Sequence, residues 1–142
     1  MTSRPYTALA ALLFLAPASL SSSAEAQVMN RPQDVIIRYY NALGHKDYAA
    51  AYALWDRNGQ NSGKSYAAFK NGFAQTYATY VAITGPVRVE GAAGSLYATV
   101  PVKVTAQLKT GQQQAFSGTY VVRKNNTGAG VQMWRIDRAA LR

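Results

Sequence analysis

Proton transfer between a protein and its substrate needs a titratable side chain within hydrogen-bond reach, and this 142-residue sequence offers few. It has one histidine, His45, and six acids, of which Asp34, Asp47, Asp56, Glu90 and Asp137 follow residue 27. With no cysteine, disulfides, thiolate metal sites, cysteine nucleophiles and a lipid-modified N-terminal cysteine are excluded. The single histidine excludes any two-histidine motif, and the acids are scattered, so the reading is of no metal and no cofactor. Ser62-Gly63-Lys64-Ser65 has the tail of a phosphate loop without its upstream glycine or preceding strand, and is rejected as one. Asn125-Asn126-Thr127 fits a glycosylation acceptor but reads as a loop.

Most acids have a structural reading. Asp34 and Asp47 stand where helices start, Glu90 follows a short strand, and Asp137 has Arg135 and Arg138 beside it. Asp56 is the uncomfortable one. It falls at a helix C-terminus, against the dipole, with Arg57 as its nearest candidate partner. Asp56, Asp137 and His45 are therefore the weak catalytic candidates. The aromatic residues are the richer signal. Tyr40, Tyr52, Trp55, Phe73, Tyr77, Tyr120 and Trp134 either line a pocket or fill the core. Buried tyrosine hydroxyls require partners, so this many on core-facing stripes suits a partly wet pocket.

The elements that would position these residues divide the chain into two periods. Residues 32–80 repeat at helical spacing and residues 86–139 alternate, an order that predicts an α+β fold. A first helix is expected over Pro32–Leu43, its stripe Val35, Ile36, Tyr39, Tyr40 and Leu43, ended by a left-handed Gly44. A second is expected from an Asp47 N-cap, with Tyr48, Ala51, Tyr52 and Trp55 on one face, followed by a loop over Arg57–Lys64. A third is expected from Ser65, with Tyr66, Phe69, Phe73, Tyr77 and Tyr80 spaced by three and four and Gly72 in its interior.

Strands follow at Pro86–Glu90, at Leu96–Leu108, around Phe116–Val122 and at Val131–Arg138, joined as an antiparallel meander. Leu96–Leu108 alternates without a break, with Val100, Val102 and Val104 inward and Lys103 and Thr105 outward. Pro101 lacks a ladder donor, which predicts a bulge or an unpaired edge position.

Before all this the pattern predicts an export leader. Arg4 starts it, Ala8–Pro17 is a short uncharged apolar run, and Ala24-Glu25-Ala26 sets cleavage between Ala26 and Gln27. The run is about half the roughly 20 residues a membrane span needs, so no span remains after cleavage. The expected domains are a signal peptide over 1–26 and one domain over 27–142, located in the periplasm or secreted. With 15 Lys+Arg against 6 Asp+Glu, the net charge is +9. The basic residues are read as spread over the surface: Arg57, Lys64 and Lys70 near the loop, Lys103 and Lys109 on one strand face, and Arg123, Lys124, Arg135, Arg138 and Arg142 later. Export disfavours nucleic acid as the counterpart and favours an anionic envelope polymer, anionic lipid headgroups or an acidic protein.

The stretch Tyr39-Tyr40-Asn41-Ala42-Leu43-Gly44-His45-Lys46-Asp47-Tyr48-Ala49-Ala50-Ala51-Tyr52, with Trp134-Arg135-Ile136-Asp137 near the end, resembles the nuclear transport factor 2-like superfamily. The resemblance covers most of residues 32–139. It implies helices packed on a curved, cone-like antiparallel sheet, often with a cavity at the wide end, and in some members a homodimer through the sheet. The superfamily includes isomerases, dehydratases, hydrolases and accessory domains, so the fold does not select a function. The leading expectation is an exported, non-catalytic binding or accessory domain for a small molecule or envelope partner. The alternatives are a small isomerase- or hydrolase-like enzyme using Asp56 or Asp137 with a tyrosine, and a basic adaptor in an envelope assembly.

Overall fold

The computed structural model describes residues 31–128 and 132–142. The expected leader, its Ala26–Gln27 cleavage site and Val131 lie outside the described residues.

Helix α1 (Pro32–Gly44) starts where Pro32 presets φ and Asp34 accepts from the Arg31 backbone N–H at 3.2 Å and from its guanidinium at 3.0 Å. Its stripe Val35, Ile36, Tyr39, Tyr40 and Leu43 is buried, as the helical period requires. The left-handed residue after it is not Gly44, which stays in the helix, but Lys46 at φ 58°. Left-handed backbone costs a side-chain-bearing residue about 1–2 kcal/mol. Here it is offset by bonds from Lys46 N–H to Leu43 O and Asp47 N–H to Ala42 O, and from Lys46 Nζ to the carbonyls of Thr76 and Tyr77 at 3.1 and 2.8 Å.

Helix α2 (Tyr48–Ala53) has the expected cap, with Asp47 Oδ1 accepting from Ala50 N–H at 3.0 Å. A single 3₁₀ turn over Gln60–Ser62 crosses the loop. Helix α3 (Tyr66–Asn71) begins one residue after the expected Ser65, whose Oγ caps it by accepting from Ala68 N–H at 3.2 Å. It does not run on to Tyr80. Gly72 caps its C-terminus rather than sitting inside it, and strand β1 (Thr76–Ile83) follows. The aromatic spacing through Phe73, Tyr77 and Tyr80 imitates a helix. However, Thr76–Ile83 is rich in β-branched and aromatic residues and finds a long partner strand.

The remaining strands are β2 (Arg88–Ala92), β3 (Ser95–Leu108), β4 (Gln113–Asn125) and β5 (Arg135–Leu141). All pair antiparallel in the order β1-β3-β4-β5, with β2 also on β3. The sheet is curved and unclosed, with the helices on one face. The last strand begins later than the expected Val131, at Arg135. β1 pairs with Val102–Leu108 and β2 with Ser95–Thr99, so the two occupy one side of β3 and break opposite Val100 and Pro101. Pro101 therefore sits at the interruption its missing N–H predicts, its carbonyl accepting from Thr84 N–H at 3.0 Å.

The expected register holds: Ala98, Val100, Val102 and Val104 are buried and Thr99 and Lys103 exposed. They pack with Tyr120, Val122 and Ile136 against the α1 stripe. At Gly118 the β4 and β5 backbones pass so closely that a Cβ would collide with the Ala140 carbonyl. Beyond β5, the 54–56 segment forms a parallel bridge, with Asp56 N–H on Ile136 O at 2.7 Å and Ile136 N–H on Leu54 O at 2.9 Å. Among the described residues no helix is long and apolar enough to cross a membrane.

Candidate functional site

The acids lie apart from one another. Asp34 and Asp47 serve the helix starts described above, and Glu90 is exposed on β2. Asp137 accepts from Asn61 Nδ2 at 3.0 Å and pairs with Arg138 at 2.7 Å. The strain at Asp56 is resolved by a residue remote in sequence. Its Oδ2 pairs with Arg123 at 3.1 Å, while its neighbour Arg57 contributes only a backbone N–H to Oδ1, at 2.9 Å. Arg57 is therefore not the ion-pair partner the sequence suggested. Burial pulls the Arg123 guanidinium down, but Asp56 and Tyr97 together outweigh it and hold it above its usual range. His45 is exposed, its Nδ1 2.8 Å from the Asn41 carbonyl at the end of α1. Among the described residues no three His, Asp or Glu side chains gather where they could hold a metal.

The aromatic candidates separate into three groups. Tyr40 and Tyr120 are buried and hydrogen-bond each other, hydroxyl to hydroxyl, at 2.7 Å. With Tyr39, which the sequence marked only as core stripe, and Trp55 they form an edge-to-face cluster with centroids 5.1–6.4 Å apart. Burial raises all three phenol pKa values, reinforced at Tyr120 by its neighbours Tyr40 and Tyr39. The Trp55 indole N–H opposes the rise at Tyr39 without making a well-formed hydrogen bond. Tyr40 and Tyr120 are thus core rather than pocket wall.

The second group surrounds α3. Tyr52 donates to the Lys64 carbonyl at 2.7 Å and packs on Tyr66 and Phe69. Its ring fills the space beside Gly59, at φ 90°, where no Cβ fits. Phe73 stacks on Tyr48, centroids 5.9 Å apart and planes 15° apart. The third group lies elsewhere. Trp134 is buried beneath the Lys124 ammonium, 4.9 Å from its ring centroid. Tyr77, expected on a helix facing a pocket, stands 64% exposed on β1, because the strand turns it outward.

Two concavities meet at Phe73. One is a slot of about 230 Å³ between the loop and α3, walled by Tyr39, Trp55, Phe69 and Phe73 and edged by Ser62 and Lys64. The other is a cleft of about 580 Å³, floored by Tyr48 and Phe73, into which Lys46, Lys70 and Lys109 project from three elements. No carboxylate lines either one. Of the seven aromatic candidates only Trp55 and Phe73 line the slot. Tyr39 and Phe69 belong to it too, and their places on helical stripes, Tyr39 with Val35, Ile36 and Leu43 and Phe69 with Tyr66 and Phe73, were the available signal. The lysines gave none, since they are far apart in sequence and Lys109 looked like a companion of Lys103.

No family model and no curated protein matches the chain. Solved structures do. A nuclear transport factor 2-like superfamily protein from Salmonella enterica matches with TM-score 0.54 and 14% identity, over 85% of this chain and 91% of its own. A candidate aromatic ring hydroxylase from Novosphingobium aromaticivorans matches with TM-score 0.56 and 20% identity, over 83% and 88%. A protein from Kribbella flavida gives 0.56 and 17%, over 84% and 90%. At these identities the likeness is one of architecture: the chain has the nuclear transport factor 2-like fold, α+β with helices packed on a curved, unclosed antiparallel sheet.

Proposed function

We propose that the mature chain is an exported, non-catalytic binding domain whose ligand seat is the slot at Tyr39, Trp55, Phe69 and Phe73. One observation carries the reading: an aromatic-walled concavity of about 230 Å³ without a carboxylate in its lining. Such a wall stacks a flat apolar ligand, and proton abstraction there has no carboxylate to act as base. Export rests on Arg4, the uncharged run Ala8–Pro17 and Ala24-Glu25-Ala26.

The slot contains one of the two tryptophans, so a Trp134→Phe variant isolates Trp55 as reporter. Titration with p-cresol should change Trp55 emission saturably, and Phe73→Ala should weaken the effect at least tenfold. A flat titration refutes the seat. Turnover of any carbonyl or ester substrate that is lost in Asp56→Asn or Asp137→Asn refutes the non-catalytic reading. Intact mass of the exported protein tests removal of Met1–Ala26.

A sheet-face interface with a second copy is the second reading, favoured by Tyr80, which is 67% exposed opposite Thr105 on the face away from the helices. Sedimentation should then give a dimer that Tyr80→Glu dissociates. A monomer at every concentration removes this reading.

A further inference from the structure

We propose that the cleft at Lys46, Lys70 and Lys109 is a second binding site, for a small aromatic acid: a flat ring carrying an anionic head. It goes beyond the slot, from which it is separated by Phe73, and does not depend on it.

The three ammonium groups reach the cleft from elements remote in sequence: the α1–α2 link, the last turn of α3 and the residue after β3. No Asp or Glu is among the lining residues. Lys70 has an explanation within its helix, since a cation suits a helix C-terminus. That reason does not extend to Lys109.

Lys46 is held in place. Its left-handed backbone and its two bonds to the Thr76 and Tyr77 carbonyls fix the ammonium at the mouth of β1. An ammonium has three donors, so one remains to offer. Among the described residues Lys70 and Lys109 make no side-chain hydrogen bond or ion pair. Three like charges around one concavity repel one another, and a bound anion relieves that repulsion.

The floor sets the rest of the ligand. Tyr48 and Phe73 lie nearly parallel, 15° apart, and the small side chains Ala67 and Ala74 leave room beside them. A flat ring can stack there with its head among the lysines. Lysines act as compact point charges rather than planar forks, so the head is defined by its charge more than by its shape. At about 580 Å³ the cleft has the size of a typical small-molecule site.

The test is an amide-resolved NMR titration of the mature protein with 2-naphthoate, its neutral counterpart 2-naphthylmethanol, decanoate and inorganic phosphate. 2-Naphthoate should shift the Lys70, Asn71, Thr76 and Lys109 amides saturably, binding at least tenfold more tightly than each of the other three. The double variant Lys70→Met/Lys109→Met should weaken 2-naphthoate at least tenfold at unchanged melting temperature. Lys103→Met, on the opposite face of the sheet, should not alter it. Equal binding of acid and alcohol, equal binding of decanoate, or an unaffected double variant overturns the proposal. So do 2-naphthoate shifts confined to Trp55 and Phe69. The p-cresol response of Trp55 reads the slot separately, so failure of either site is recognised by itself.

Discussion

The hydroxyl pair Tyr40–Tyr120 decides whether the centre of the aromatic cluster is a dry core or a wet chamber. Each Tyr→Phe change keeps the ring and its edge-to-face contacts, so the perturbation is confined to one oxygen. In Tyr40→Phe the Tyr120 hydroxyl, in a residue 3% exposed, is stranded without its partner 2.7 Å away. Stranding a buried polar group costs about 1–3 kcal/mol, above the roughly 1 kcal/mol net worth of an ordinary hydrogen bond. In Tyr120→Phe the stranded hydroxyl belongs to Tyr40, at 7% exposed and closer to water. Tyr40→Phe should therefore cost about 2 kcal/mol and Tyr120→Phe about 1 kcal/mol. The double variant leaves neither group to strand and should cost no more than Tyr40→Phe alone, a coupling of about 1 kcal/mol. Urea unfolding of the four proteins gives the cycle directly, provided the slope of free energy on urea stays constant across them. Single costs that add to within about 0.3 kcal/mol would refute the reasoning. Water would then be satisfying both hydroxyls, and the cluster would be a hydrated cavity extending the slot.

Three further outcomes follow from the same structure. Gly118→Ala should destabilise by roughly 3 kcal/mol or prevent folding, because its Cβ meets the Ala140 carbonyl, whereas Ser117→Ala on the same strand should melt like the parent. Val102→Asp buries an unpaired charge at a position 1% exposed and should abolish cooperative melting, while Lys103→Asp should leave it nearly unchanged; equal behaviour would mean the β3 register is wrong. In alkali, the phenols of Tyr39, Tyr40 and Tyr120 are raised by burial, so the unfolded chain releases their protons first, near pH 10. Stability should be complete below that pH and fall as it rises further. Ionisation of all tyrosines near pH 10 in a still-folded protein, read by phenolate absorbance, would contradict it.

Local signals in the sequence translated well. The Asp47 cap, the helix start at Ser65, the α1 stripe and the inward alternation of Val100, Val102 and Val104 each depend on neighbours a few residues away. Pro101 signalled a position unpaired on one side, and the structure places the break between β1 and β2 opposite it. The misreading beyond Asn71 came from two periods that fit one stretch: Phe73, Tyr77 and Tyr80 satisfy a helix, while Thr76–Ile83 satisfies a strand. Only the pairing with β3 decides between them, and pairing is a property of the whole sheet. The same distinction explains the sites. Arg123 meets Asp56, and Lys109 meets Lys46 and Lys70, only after the sheet has curved beneath the helices. No spacing rule could join them beforehand.

A sheet that does not close leaves two rims, and bare rims invite other chains to add strands and polymerise. Here both are blunted. On the β5 rim, residues 54–56 already occupy Ile136, a short parallel contact that takes its amide and carbonyl out of circulation. On the other rim, the gap over residues 84–87 divides the strand into lengths of 8 and 5 residues, so an incoming chain finds no long straight template. Pro101 thus protects the protein from its own kind. Variants that fill the gap, by deleting residues there until β1 and β2 run together, should aggregate before they lose stability.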